Sequence, residues 1–128
     1  MTKLEDVKVK DIMEKTLIFV TPSTTAFQIA QMMKSGGITA VFVKEEEEFV
    51  GIVTDRDFAI KIAISKLPFD TPAEKIMSSP LITIDQNEPI SVAAKMMAFK
   101  KIRKLAVTDK NKIVGIVRSL DLVEQLAE

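Results

Sequence analysis

The chain has 128 residues, 47% of them apolar, and its 18 Lys and Arg balance its 18 Asp and Glu. That length fits one compact domain or two small interlocked halves with a real core, and zero net charge argues against nucleic acid as the main partner, which needs a basic surface. The chain has neither Cys nor His, which excludes disulfides, thiolate or imidazole metal sites, a cysteine nucleophile and the usual general base.

Taken in order, residues 1–10 are polar apart from Leu4, Val7 and Val9, and are expected to lie as a strap across the second half of the chain. Residues 9–13 end in a short apolar pair. Residues 17–20 read as a brief strand closed by Thr21-Pro22. The loop 22–25 offers hydroxyls to cap a helix over 26–34, where Ala26, Ile29, Ala30 and Met33 recur at helical spacing. Gly36-Gly37 stops it. Strands follow at 39–43 and 49–54, with 44–48 as a hairpin tip whose glutamates read as solvated. A helix over 55–64 should point Phe58, Ala59 and Ile62 inward. Residues 65–72, with Pro68 and Pro72, form a linker. The second half offers a strand at 81–84 and a helix over 89–99 with Pro89 near its first turn. A hairpin of 104–108 and 113–117 and a closing helix over 119–127 complete it. Met32, Met33, Met96 and Met97 read as adaptable core filler. No apolar run approaches the ~20 residues of a membrane span. The charged residues 1–11 do not make a signal peptide, so the expected compartment is cytoplasmic.

The two halves repeat each other. Gly51-Ile52-Val53-Thr54-Asp55-Arg56-Asp57 returns as Gly115-Ile116-Val117-Arg118-Ser119-Leu120-Asp121 at an offset of 64 residues (115 − 51 = 64). The register runs without a gap: Ile12-Met13 matches Ile76-Met77, and Val43 matches Val107. Such self-similarity outranks local signals in deciding a fold. The repeated stretch reads as a strand running into a helix. Gly51 within it suggests close approach of another backbone or a ligand. Thr54 stands where an N-cap stands, and Asp57 falls in the first turn. One reading is a capping box. The other is that a hydroxyl and a carboxylate one turn apart, beside a helix N-terminus, grip a ribose diol and a phosphate.

With these residues in view, the chain resembles a tandem pair of CBS domains, the arrangement called a Bateman module. The likeness covers nearly the whole chain. It rests on the doubled glycine-to-aspartate stretch, the short strand before each first helix, and Lys101-Ile102-Arg103-Lys104-Leu105-Ala106-Val107. The segment departs from the family at Ala106, where Pro is common; Phe42 takes that place in the first repeat.

The resemblance implies an α/β (α+β) fold of two β-α-β-β-α repeats packed about a pseudo-two-fold axis. The repeats are residues 1–64 and 73–128, with 65–72 as linker. It implies a stand-alone regulatory module that binds an adenine nucleotide (AMP, ADP or ATP, with S-adenosylmethionine possible) and acts on a separate, unidentified protein. It also implies two clefts. The first would take Thr54 and Asp57 at the ribose, Pro80, Leu81 and Ile82 at the adenine, and Arg103 and Lys104 at the phosphates. The second would take Asp121 at the ribose, Ile18 at the adenine, and the neutral Thr39 and Ala40 in place of the basic pair, with Thr16 also in the cleft. Arg118 replaces the hydroxyl of Thr54 there; it could meet a phosphate or pair with Asp121.

The alternative function is a dimerisation or interaction module with vestigial clefts. No feature supplies a catalytic base, so no enzyme, required cofactor, metal site or membrane partner is expected. Phe27, Met32, Phe58, Met97 and Phe99 exceed what a small core can use. They point to a homodimer.

Overall fold

The computed structural model describes residues 6–127, so the anchor read at Leu4 lies outside the described residues. The elements run α1 (Val9–Ile12), β1 (Phe19–Val20), α2 (Ala26–Gly36), β2 (Ala40–Glu45), β3 (Glu48–Thr54) and α3 (Asp55–Asp57), the last continued by a π-helical run (Phe58–Ile64). They continue with α4 (Ala73–Ile76), β4 (Thr83–Asp85), α5 (Ile90–Lys100), β5 (Lys104–Asp109), β6 (Lys112–Arg118) and α6 (Ser119–Ala127). Each half is strand, helix, strand, strand, helix. Each also gains a short leading helix, α1 or α4, that the apolar pairs in the sequence did not reveal.

The chain forms two compact units that do not coincide with the repeats. One is Ile18–Leu81. The other joins the described part of Met1–Leu17 to Ile82–Glu128. The leading segment of each repeat therefore folds with the body of the other.

In the unit Ile18–Leu81, β1 pairs parallel to β2, and β2 pairs antiparallel to β3. Thr25 caps α2 by accepting the Gln28 N–H at 3.2 Å, while the Gln28 side chain accepts the Thr25 N–H at 3.0 Å. This capping box satisfies two donors that a helix start leaves open. Gly37 closes α2 in the left-handed conformation, at φ 65°, where glycine carries no Cβ penalty. Lys101 takes the same conformation at the end of α5, at φ 56°. The core is Val20, Ala26, Ile29, Val41, Val43, Val53, Ala73 and Ile76.

The second unit repeats this plan with β4, β5 and β6. The strap expectation is met: Val7 and Val9 enter this unit's core beside Ile84, Ile90 and Leu105. The Val9 N–H donates to the Glu88 carbonyl, and the Ile90 N–H to that of Val7, both at 2.9 Å.

Both hairpins carry a one-residue bulge. Val43 pairs with Gly51 and Lys44 with Phe49, which leaves Val50 over; Val114 is left over in the same way. Opposite each bulge a leading segment runs against the sheet. Ser78 exchanges both backbone hydrogen bonds with Ile52, and Glu14 with Ile116. The glycine beside each contact makes the approach possible. A Cβ on Gly51 would lie 2.5 Å from Met77 Sδ, and one on Gly115 would lie 2.8 Å from the Glu14 carbonyl oxygen.

Several sequence expectations need correction. The hairpin tips are two residues wide, 46–47 and 110–111, because strand pairing extends to Glu45↔Glu48 and Asp109↔Lys112. The helix after Thr54 is π-helical from Phe58, with the Ser65 N–H reaching the Ile60 carbonyl at 2.9 Å. Its wider turn keeps Phe58 and Ile62 against the core and leaves Ala59 exposed. Pro89 precedes α5 as its N-cap residue. Of the five residues read as surplus, Met97 is core at 6% exposure, and Met32 and Phe58 pack against the core. Only Phe27 and Phe99 project into solvent, at 55% and 86% exposure.

Gly115→Ala should therefore destabilise the protein by roughly 1–3 kcal/mol through overpacking against backbone that cannot move aside cheaply. Urea unfolding followed by circular dichroism measures this, and an unchanged midpoint would contradict the close approach.

Candidate functional site

The buried charged residues among those described are Asp57 and Asp121, at 5% and 7% exposure. They occupy matched positions at the start of α3 and α6. A buried carboxylate needs hydrogen bonds to offset lost hydration, and each finds them differently.

Asp57 Oδ2 accepts the Thr54 N–H at 2.8 Å, with the Thr54 hydroxyl at 3.4 Å. The N-cap reading of this pair is met. Oδ1 accepts the Ser78 hydroxyl at 2.9 Å and faces Lys61 Nζ at 3.2 Å. Lys61 also donates to the carbonyls of Ile76 and Met77, at 2.7 and 3.1 Å. One ammonium thus ties the π-helical run to the segment after α4, and one carboxylate holds the end of that segment.

Asp121 is gripped by a guanidinium. Its Oδ2 accepts the Arg118 N–H at 2.8 Å and Nε at 3.1 Å, and its Oδ1 accepts Nη2 at 2.6 Å. Of the two roles open to Arg118, the structure shows the pairing. These bonds to Asp121 raise the Arg118 pKa above its ordinary value, against the opposing effect of partial burial. Glu14 stands by: its Oε1 accepts the Thr16 N–H at 2.9 Å. That bond, then the Thr16 side chain, holds the Glu14 carboxyl below its ordinary value, and the charge of Arg118 adds to the effect.

The remaining candidate residues are divided between the two units. In the unit Ile18–Leu81, Ala40 pairs with Thr54, the Thr39 carbonyl accepts the Asp55 N–H, and Ile18 binds β2 through the Phe42 N–H. Pro80 follows a cis peptide bond after Ser79, and Leu81 ends the unit. In the other unit Lys104 pairs with Arg118, the Arg103 carbonyl accepts the Ser119 N–H, and Ile82 accepts from Ala106. Sequence reasoning missed Ser78, Lys61 and Glu14. Ser78 and Glu14 face each other across the repeat offset, as do Lys61 and Gln125, and that mismatch was the available signal. Among the described residues no cluster of acidic side chains is arranged to hold a metal ion, and no helix is long and apolar enough to cross a membrane.

Comparison with known proteins agrees with this doubled architecture. The family model for the CBS domain matches residues 9–64 and 73–128. An uncharacterized protein of Methanopyrus kandleri is 36% identical over 124 residues; the match covers 94% of this chain and 63% of the relative. This chain thus spans about two thirds of that relative's length. The crystal structure of an uncharacterized conserved protein from Pyrococcus horikoshii is similar at a TM-score of 0.93 and 29% identity, covering 99% of this chain and 96% of that one. The CBS domain pair of protein MJ0100, solved in complex with 5′-methylthioadenosine and S-adenosyl-L-methionine, is similar at a TM-score of 0.83 and 28% identity, over 94% of this chain and 96% of that one. With two family matches, a doubled unit and buried aspartates at equivalent helix starts, this chain belongs to the CBS-domain family as a tandem pair.

Proposed function

We propose that the chain is a regulatory module that binds an adenosine-containing ligand, with Asp57 as the acceptor for the ribose hydroxyls. The observation that carries the reading is the Asp57 carboxylate itself. Its Oδ2 is committed to the Thr54 N–H, which fixes its orientation, while Oδ1 meets the neutral Ser78 hydroxyl at 2.9 Å and Lys61 Nζ at 3.2 Å. A ribose hydroxyl can replace a serine hydroxyl there without a change of charge. The complex of the similar MJ0100 pair with two adenosine derivatives supports the ligand class. The assignments of Pro80, Leu81, Ile82, Arg103 and Lys104 to that ligand, and of Thr16, Ile18, Thr39 and Ala40 to a second one, rest on the family resemblance alone. A regulatory role fits a chain without His or Cys; the protein it regulates, and its cytoplasmic setting, belong to the same reading.

A charge-assisted hydrogen bond contributes roughly 1.5–3 kcal/mol. Asp57→Ala should thus weaken AMP or S-adenosylmethionine binding by about tenfold to a hundredfold. Calorimetric titration of the folded variant checks this, and unchanged affinity for both ligands would sink the assignment.

Self-association is the second part of the reading, and it is also what an interaction module without ligand would need. Each unit leaves apolar helix residues in solvent. Phe27 and Ile64 do so in one, and Phe99, Leu120, Val123 and Leu126 in the other, all more than half exposed. Leu120, Val123 and Leu126 recur every third residue on α6. Such exposure marks an interaction surface. We expect a homodimer, and light scattering at micromolar concentration should return twice the chain mass. A mass near that of one chain would count against it.

A further inference from the structure

We infer that Arg118 decides which of the two buried aspartates takes a ligand: Asp57 is receptive, and Asp121 is closed by the Arg118 guanidinium. The inference rests on the proposed role of these carboxylates as acceptors for a ribose diol. It goes further by assigning the choice between them to a residue outside that role.

The two corners share one backbone plan, so their side chains can be compared position by position. Asp57 and Asp121 each accept the N–H of the residue three positions earlier, at 2.8 Å in both cases. What remains for a ligand differs. Around Asp57 the other partners are the Ser78 hydroxyl and Lys61, and Lys61 approaches the two strap carbonyls at least as closely as it approaches the carboxylate. A hydroxyl is neutral, rotates freely and is readily exchanged for another hydroxyl. Around Asp121 both oxygens are engaged by one rigid fork, Nε on Oδ2 and Nη2 on Oδ1. Bidentate guanidinium–carboxylate pairs are among the strongest side-chain contacts, and a diol cannot reproduce their charge.

Glu14 takes, in its unit, the position in the leading segment that Ser78 takes in the unit Ile18–Leu81. Its backbone pairs with Ile116, two residues before Arg118 on the same strand, which sets the two side chains on one face of the sheet at diagonal distance. The charges of Glu14 and Glu124 both favour the charged guanidinium. The matched residues in the unit Ile18–Leu81, Ser78 and Ile60, carry no charge. Lys104 is paired with Arg118 on the neighbouring strand.

Exchanging the residues between the corners tests the assignment. The variant Glu14→Ser with Arg118→Thr gives the second corner the two hydroxyl side chains of the first and removes its guanidinium. Calorimetric titration with AMP, and in parallel with S-adenosylmethionine, should find one binding event per wild-type chain and two per variant chain. The reverse variant, Thr54→Arg with Ser78→Glu, should lose the wild-type event, and it keeps the test decisive if the first variant fails to fold. Two events in the wild type, no gain in the folded first variant, or a retained event in the folded reverse variant would each overturn the inference. Its failure is separable from failure of the proposed function. A wild type that binds neither ligand, beside a first variant that binds one, would remove Asp57 as the receptive group and leave the closure of Asp121 standing.

Discussion

The close approach of a leading segment to a glycine in the last strand is the contact on which both units depend. At Gly51 and Gly115 there is no side chain, so Met77-Ser78 and Met13-Glu14 can lie directly against β3 and β6. That contact lets α4 place Ala73 and Ile76, and α1 place Val9, into cores where all three are fully buried. Without it each three-stranded sheet would show an apolar face that its two long helices leave partly open. The adjoining bulge, at Val50 and Val114, is part of the same device. A bulge bends and twists its strand locally, here where the incoming backbone must pair.

The same contact builds the site. Ser78 and Glu14 are the residues whose backbones pair with the strand, so their side chains arrive near Asp57 and Asp121 at positions fixed by sheet hydrogen bonding. Capping and ligand binding, opposed as readings of the sequence, are compatible in the structure. A carboxylate held on one oxygen by the N-cap N–H is an oriented acceptor on the other. In the proposed role, capping would serve as pre-organisation. The second oxygen meets Ser78 and Lys61 at Asp57, and Arg118 at Asp121.

Most of the architecture was legible because the chain states it twice. The order of strands and helices followed from periodicity and the repeat, the strap from its apolar anchors at Val7 and Val9, and the glycine approach from the break that Gly51 makes in a strand. What stayed hidden was nonlocal or too short to carry a period. A single-turn helix such as Ala73–Ile76 has no periodic signal. The π-helical run differs from an α-helix by one hydrogen-bond step, which apolar spacing over two turns does not resolve. Met97 looked surplus because counting apolar residues on a helix does not say which of them face the sheet. Lys61 was invisible as a site residue because its carbonyl partners at Ile76 and Met77 lie 15 and 16 residues away.

The pattern of divergence between the repeats separates what the fold requires from what it leaves open. In the first core Ala26 and Ile29 lie on α2; at the matched positions of α5 stand Ile90 and Ala93, and all four are fully buried. The large and small residues have changed places within one turn, so the volume presented to each sheet is kept while the residues are not. Cores accept such exchanges at little cost when total volume is conserved. The polar corners have diverged in the position of their cation: each aspartate keeps one, Lys61 on Asp57 and Arg118 on Asp121. The aspartate and the glycine are the same in both repeats, and the changes at Thr54 and Arg118, Ser78 and Glu14, and Lys61 and Gln125 alter charge. Among these, Thr54, Ser78 and Lys61 bond Asp57, and Arg118 bonds Asp121, so the replacements bear on the two buried carboxylates.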